Sequence, residues 1–292
     1  MVSPYVRRQQ LALAIAEARE AIGLTHTQLA SKIGQSRAKI SRLENGHIRP
    51  AQAEIFKILE VLGVEGEQWA RLVDIASDAA DKGWWHGYGD DMGPRQAIYA
   101  DLESGTRHIR EFQPFIPGLL QTAEFARQRQ LAEAEIGPVT FQTQRAVEAR
   151  QTRQRMLLRS GGPSYEVVID EVALRRLPAP PAVVADQIRH VVKLSADPDV
   201  AVRILPVDAR IRGYAVPRSG FSLYTYPDPL DPRVAAVDTV TTDVVLTSLT
   251  EPAQLDRYEA LYERLAEASL SVEASTEMLS AAAAKITEEV PT

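Results

Sequence analysis

The sequence predicts a multidomain fold, in which an all-α domain of five helices at residues 1–82 precedes a larger α+β domain at residues 83–292. The 292 residues exceed the roughly 100–200 residues of a typical single domain. Apolar residues recur at helical spacing in the first part, whereas several later segments have the β-branched runs and alternation of strands. Charge is also divided unevenly, with a net +4 in residues 1–62 and −10 in the remainder. Such asymmetry is typical of a nucleic-acid-binding segment joined to another kind of domain.

The composition excludes several classes of protein. The chain has no cysteine, so disulfides, thiolate zinc sites and cysteine nucleophiles are excluded and an intracellular protein is favoured. The N-terminal residues lack the apolar core of a signal peptide, and no apolar run approaches the roughly 20 residues needed to cross a bilayer. These features predict a cytoplasmic protein that does not associate with a membrane.

The first two predicted helices are delimited by capping signals. Apolar residues recur at helical spacing over residues 7–22, which predicts a first helix that ends at Gly23. Thr25 and Gln28, three residues later, have the form of a capping box, which begins a short second helix. Gly34 is expected to end that helix.

A third helix is predicted at residues 37–44, because Ser36 is a favourable N-cap residue and Asn45 and Gly46 form a helix-ending pair. A fourth helix opened by a proline follows, and a fifth is expected at residues 68–76. Two short helices joined by a tight glycine-containing turn form a helix-turn-helix, whose second helix enters the major groove of DNA.

The order of residue pairs in this segment is that of a known family. The pairs run Leu24-Thr25, Leu29-Ala30, Ile33-Gly34, Ser36-Arg37, Ile40-Ser41 and Glu44-Asn45-Gly46. This succession resembles the repressor/Cro-type (Xre-like) helix-turn-helix family, and the resemblance implies binding to an operator in double-stranded DNA. The sequence departs from the family pattern at His26, where Gln is common, and at Ala51, where a polar cap is common.

Ten residues of this motif are candidate DNA contacts: Thr25, His26, Ser36, Arg37, Ala38, Lys39, Ser41, Arg42, Asn45 and Arg49. Arg37 and Arg42 are the candidates for base recognition, because arginine bonds the O6 and N7 atoms of guanine in a bidentate fashion. Lys39 is a candidate for a base or a phosphate. Residues at the starts of the two helices are candidates for phosphate, which free amides bind there. The alternative is that these side chains form an ordinary solvated helix face.

A homodimer is also expected. A single module of this kind buries too little surface for high affinity, so two copies should contact half-sites about 34–36 Å apart.

The elements of the second domain follow from shorter patterns. Strands are predicted at residues 109–112, 165–169, 200–205, 221–226, 234–237 and 242–246. Helices are predicted at 97–102, after the segment 115–122 up to about residue 134, at 139–159, 171–177 and 181–195, from 254 onward, and at 271–287. Three glycines in residues 83–91 are expected to break any helix, which places the domain boundary there. Trp84 and Trp85 in that segment are either part of a partner-binding loop or a packing anchor.

The second domain also resembles a known one. The matching residues are Tyr99, Leu102, Glu103, the string Pro117-Gly118-Leu119-Leu120-Gln121-Thr122, the run from Asp170 to Arg176, and Ile204-Leu205-Pro206. They are similar to the uncharacterised domain that follows an Xre-like helix-turn-helix in the WhiJ-like group of actinobacterial regulators. The resemblance implies a transcription regulator in an antitoxin-like arrangement with a small acidic partner protein, and it implies no catalytic residues.

The sequence contains no recognisable constellation of catalytic residues. A zinc site without cysteine would need a set of His and Asp ligands, and no such set can be assembled around His86, His108 and His190. No phosphate-binding or dinucleotide motif implies a cofactor. The carboxylate pairs Asp90-Asp91 and Asp170-Glu171 are adjacent in sequence, so their side chains point apart. The sequence therefore predicts a protein that is not an enzyme.

The densest basic run, on the helix before residue 161, includes Arg150 and Arg153. These two arginines are candidates for binding an acidic partner protein or a small-molecule effector. An arginine-rich surface helix is the alternative.

Together these features predict a sequence-specific DNA-binding transcription regulator whose C-terminal domain dimerises and senses a small protein or a ligand. The rival hypothesis is an enzyme of unknown reaction that the helix-turn-helix tethers to DNA.

Overall fold

The computed structural model describes residues 2–137, 143–176, 178–240 and 242–288. The helices are α1 (Pro4–Ala21), α2 (His26–Ile33), α3 (Arg37–Glu44), α4 (Gln52–Val61), α5 (Gly66–Ala80), α6 (Pro94–Glu103), α7 (Ala123–Ile136), α8 (Thr143–Leu157), α9 (Val172–Arg175), α10 (Pro181–Leu194), α11 (Pro252–Ala268) and α12 (Val272–Glu288). The strands are β1 (His108–Gln113), β2 (Ser164–Asp170), β3 (Val200–Leu205), β4 (Phe221–Thr225), β5 (Val234–Val237) and β6 (Val244–Thr247). No helix in these ranges combines the length and the apolar character needed to span a membrane.

The chain folds into two compact units that are not separated by a single cut in the sequence. The helical unit comprises Met1–His86, Ile98–Thr106 and Tyr226–Pro232, and the sheet unit comprises Gly87–Ala97, Arg107–Thr225 and Arg233–Thr292. The chain therefore passes from one unit to the other five times. The boundary predicted after residue 82 lies close to the first of these passages, which follows His86. The later passages were not predicted, because the segments at 98–106 and 226–232 are held by contacts with α1 that are distant in sequence.

In the helical unit, helices α1 to α5 surround one apolar core. Its fully buried side chains include Leu11, Ile15, Leu29, Ile40, Ile55, Ile58 and Leu59. The five helices predicted from sequence are confirmed, with shifted ends for the first and the last. Helix α1 begins earlier than residue 7, because the Ser3 hydroxyl caps it by accepting a hydrogen bond from the Val6 amide at 3.2 Å. Burial of this common core holds the two short helices α2 and α3 in place.

The sheet unit contains a six-stranded mixed sheet in the order β3-β2-β1-β4-β5-β6. The first three strands are parallel, with β1 paired to β2 and β2 to β3, and α7 to α10 lie in the crossover connections. Strands β4, β5 and β6 form an antiparallel meander that joins β1 through β4. Helix α11 packs on one face, where Leu255, Tyr262 and Leu265 share one apolar core with Phe112 and Phe221. The predicted α+β class of the second domain is confirmed.

The segment after α5 differs from its prediction. Residues expected to break any helix form short 3-10 turns over Trp84–Met92, interrupted at Gly89, where φ is +53°. Trp85 is only 5% exposed, and a Cβ atom on Gly83 would lie 2.0 Å from its ring. The Trp84 ring stands edge-on to that of Trp85 at 6.0 Å. Trp85 is therefore a packing anchor of the helical unit rather than an open binding residue.

Two predictions fall partly on residues that the structure does not describe. The predicted helix at residues 139–159 corresponds to α8 (Thr143–Leu157), and residues 139–142 lie outside the described ranges. Leu177, the last residue of the predicted helix at 171–177, lies outside them as well, and α9 ends at Arg175.

Candidate nucleic-acid interface

The helix-turn-helix is built by local hydrogen bonds at the starts of α2 and α3. Thr25 Oγ1 accepts from the Gln28 amide at 3.2 Å, and Gln28 Oε1 accepts from the Thr25 amide at 2.8 Å, which completes the capping box. Ser36 Oγ accepts from the Lys39 amide at 3.2 Å and caps α3. Between the two helices Gly34 has a φ of +70°, the left-handed conformation that glycine adopts without strain. The caps leave other first-turn amides of each helix without an intrahelical partner.

The outer face of α3 presents arginine side chains. Ile40 and Leu43 are buried in the core, as helical spacing predicts. On the opposite side Arg37, Ala38 and Arg42 are exposed. Neither arginine forms an ion pair or a side-chain hydrogen bond with the part of the chain that the structure describes. Both guanidinium groups are therefore available to a ligand.

Lys39 and Ser41 lie at the edge of this face. Both are half-buried. The Lys39 ammonium forms an ion pair with Glu54 of α4. A DNA contact by Lys39 would have to compete with this carboxylate, so Lys39 is a weaker candidate than Arg37.

The remaining predicted contacts are held by the protein itself. The His26 ring lies 2.9 Å from Glu44 Oε2, so its side chain faces α3 and its backbone amide stays at the start of α2. Asn45 is exposed and donates from Nδ2 to the Ser41 carbonyl at 2.6 Å. Arg49 donates from Nη2 to the Asp81 carbonyl at 3.0 Å. Arg49 thus ties the loop after α3 to the end of α5.

A buried ion pair that sequence patterns did not indicate joins α1 to α3. Arg19 Nε lies 2.7 Å from Glu44 Oε1 and Arg19 Nη2 lies 2.8 Å from Glu44 Oε2, a bidentate arrangement. Their side chains are only 8% and 4% exposed. Hydrogen bonding to Glu44 raises the pKa of Arg19, and Arg19 Nη1 also donates to the Leu24 carbonyl at 2.7 Å. The pair fixes the end of α3 against the turn that precedes α2.

The first turns of α1 are held by a second polar cluster. Ser3 Oγ donates to Asp101 Oδ1 at 2.8 Å, and Arg8 Nη2 donates to Asp101 Oδ2 at 3.2 Å. Arg7 Nη1 lies 2.9 Å from Asp231 Oδ1. Through these contacts residues 98–106 and 226–232 belong to the helical unit. Along the chain, residues 98–106 precede β1, and residues 226–232 connect β4 to β5. Helix α1 is thus held at one end by the ion pair with α3 and at the other by these connecting segments.

Asp231 makes the stability of the helical unit depend on pH. Its side chain is fully buried, and this burial raises its pKa above the ordinary 3.8, although Arg7 opposes the shift. The folded protein then binds the proton more tightly than the unfolded chain, so the contribution of Asp231 to stability falls as pH rises from about 3.8 through the raised pKa. In urea unfolding, the wild type should therefore lose stability relative to Asp231→Asn as pH rises above the ordinary pKa of 3.8.

The exposed Asp74 of α5 offers a matched control, since Asp74→Asn removes a carboxylate from the same unit without touching the cluster. A stability difference between the wild type and Asp231→Asn that stays constant with pH would contradict the assignment.

The two arginines proposed from sequence to bind a partner lie inside the sheet unit. Arg153 is only 6% exposed, and Arg150 Nη1 donates to Gln121 Oε1 at 2.7 Å. Gln154 Nε2 donates to the Gly118 carbonyl at 3.2 Å. A Cβ atom on Gly118 would lie 3.0 Å from Arg150 Nη1. Arg150 and Arg153 therefore pack beneath residues 117–122 rather than forming an open basic surface, because the loop folds over this side of α8.

Three of the four carboxylates in the adjacent pairs of the sheet unit have structural partners. Asp170 Oδ1 accepts from the Val172 amide at 2.9 Å. Glu171 Oε2 accepts from the Val207 amide at 3.0 Å, which together with Arg175 lowers its pKa. Asp91 forms an ion pair with Arg145 at 3.2 Å. Within the described ranges no three His, Asp or Glu side chains are grouped so that they could hold a metal ion.

Two families match the chain. Residues 15–69 match the family described as Helix-turn-helix, which includes α2, α3 and the exposed arginine face. Residues 96–281 match the family described as Domain of unknown function (DUF5753), and this match covers more than half of the chain. Neither a curated protein nor a solved structure matches the chain.

Proposed function

Because the chain belongs to the DUF5753 family and carries an Xre-type helix-turn-helix at its N-terminus, we propose that it is a sequence-specific transcription regulator. The helix-turn-helix match supports DNA binding and transcription regulation as the general activity. The observation that carries the specific proposal is the exposed face of α3, where Arg37 and Arg42 have no acidic partner in the described chain.

The proposed complex places α3 in the major groove and α2 across the phosphate backbone. Arg37, in the first turn of α3, and Arg42 contact base edges, and Ala38 allows close approach between them. The amides at the starts of α2 and α3, near Thr25 and Ser36, contact phosphates. Arg49 and His26 position the motif through their internal contacts rather than contacting DNA directly.

We further propose that the protein binds its operator as a homodimer and that the sheet unit contributes to dimerisation and to sensing. A single helix-turn-helix buries too little surface for tight operator binding, which supports two copies. We also propose that the protein belongs to the WhiJ-like group of regulators and that it binds a small acidic partner protein in an antitoxin-like arrangement. We propose further that the protein is not an enzyme, which is supported by the structural partners of Asp91, Asp170 and Glu171.

Selection of genomic fragments by the purified full chain, followed by gel-shift titration of the enriched duplex, tests the proposal. The enriched sequence should contain two half-sites with centres about 10–10.5 base pairs apart, or a multiple of that distance. A dimer with about 6–10 phosphate contacts should lose about 10³–10⁵-fold in affinity between about 50 and 200 mM salt. No enrichment, or an affinity independent of salt, would refute DNA binding as the function.

A further inference from the structure

The sheet unit contains a cavity of about 640 Å³ between α11 and the segment that connects β3 to β4. Three arginines line it, Arg218 from the connecting segment and Arg257 and Arg264 from α11. Tyr258 and Leu261 contribute apolar surface between them. The volume lies in the range of about 300–1,000 Å³ that is typical of small-molecule sites.

The side chains that line this cavity carry an excess of positive charge. The four acidic side chains of α11 form ion pairs with arginines from other elements, namely Asp256–Arg233, Glu259–Arg233, Glu263–Arg110 and Glu267–Arg212. In contrast, Arg218, Arg257 and Arg264 form no ion pair with the described part of the chain. Three cations therefore face one cavity without a counter-charge, although the chain as a whole is acidic, with a net charge of −6. Such an arrangement attracts an anion.

The apolar wall of the cavity adds a second requirement. The Tyr258 ring is half-buried and packs on Phe221, with ring centroids 5.1 Å apart, so it is held as a rigid platform. Guanidinium groups bind phosphate oxygens in a bidentate fashion, and two linked phosphates carry enough negative charge to match three arginines. We propose that this cavity binds a small molecule that bears a diphosphate and a ring, the chemistry of a nucleoside diphosphate, with the ring on Tyr258.

The position of the platform gives the ligand a route to the DNA-binding unit along the chain. Phe221 begins β4, and five residues later the chain enters the helical unit at Tyr226. That segment includes Asp231, which holds Arg7 of α1. A ligand that favours one arrangement of β4 would thereby change the affinity for the operator. This effector role rests on the proposed function, whereas the ligand site itself does not.

Isothermal titration of the full chain, without DNA, tests the site with pyrophosphate, ADP and citrate as probes. ADP is expected to bind at one site per chain, more tightly than pyrophosphate because of the ring contact, and citrate at least tenfold more weakly than ADP. The double variant Arg257→Gln/Arg264→Gln should weaken ADP binding at least tenfold. Arg212→Gln is the control, because it removes an exposed arginine of the same segment that is paired with Glu267.

Four results would overturn the site or its assignment. ADP that does not bind, or that binds the double variant as tightly as the wild type, overturns the site. Pyrophosphate that binds as tightly as ADP overturns the role of Tyr258. Citrate that binds as tightly as ADP overturns the assignment to phosphate. Unchanged thermal unfolding of the double variant establishes that lost binding is not lost folding.

Repeating the gel-shift titration with ADP present then tests the effector role separately. ADP binding without any operator binding would refute the proposed function and leave the site intact. Operator binding in a chain that does not bind ADP would refute the site and leave the function intact. A changed operator affinity that the double variant abolishes would support both.

Discussion

Glu44→Ala is expected to destabilise the helical unit by up to about 3–5 kcal/mol, because it removes the buried bidentate carboxylate of Arg19. Arg19 then keeps only the exposed Glu20, which lies 3.2 Å from Arg19 Nη2. The same change frees the His26 ring, which lies against Glu44 Oε2. Thermal or urea unfolding of the purified chain, followed by a probe of the helical unit such as its tryptophans, measures the loss. Operator binding should fall as well, since α3 loses its anchor to α1.

The double variant Arg19→Met/Glu44→Leu distinguishes a missing charge partner from a missing contact. Replacing both members of a buried ion pair with apolar residues of similar volume is often close to neutral, so this variant should recover most of the lost stability. If Glu44→Ala unfolds like the wild type, or the double variant is no more stable than Glu44→Ala, the pair does not anchor α3 as argued.

Arg37→Ala is expected to weaken operator binding by about 1–3 kcal/mol, or about 5–150-fold, while leaving the fold unchanged. The reason is the loss of a bidentate contact to one base, so the variant should also tolerate substitutions at a single operator position. Arg37→Lys keeps the charge but not the planar fork, so its discrimination at that position should fall as well. Gel-shift titration against the selected operator and its single-base variants measures both effects.

Lys57 offers a charge-matched control for this experiment. It is exposed on α4, outside the face formed by α2 and α3, and makes no ion pair with the described residues. Lys57→Ala should lower affinity only slightly and equally for all operator variants, because it changes long-range attraction alone. Equal losses for Arg37→Ala and Lys57→Ala would show that Arg37 does not contact a base.

The limits of the helix-turn-helix could be predicted from sequence because its signals are local. The Thr25–Gln28 capping box, the Ser36 cap and the turn at Gly34 each depend on residues within about four positions of one another. Helical spacing alone also separates the buried Ile40 from the exposed arginines of α3. The strands were predictable for the same reason, as runs of β-branched and aromatic residues.

Burial of the basic residues was not predictable in this way. Arg150 and Arg153 have the composition of a solvated helix face, yet Arg153 is buried and the half-buried Arg150 bonds to Gln121 of the segment at residues 117–122. Arg49 lies in a loop typical of DNA contacts, yet it bonds to the end of α5. In each case the deciding partner is distant in sequence, and single-sequence patterns carry no signal for such contacts.

The sequence by itself determined the fold classes, the helix-turn-helix and the side chains that α3 exposes, because spacing and capping act over a few residues. Only the tertiary structure decided which charges are neutralised. Arg19 and Glu44 are 25 residues apart, Arg7 and Asp231 are joined across most of the chain, and the acidic residues of α11 take their arginines from other elements. Among the described residues, the arginines without a counter-charge are Arg37 and Arg42 in the helical unit and those of the cavity in the sheet unit. Only the folded chain determines this set, since an ion pair needs proximity in space and not in sequence.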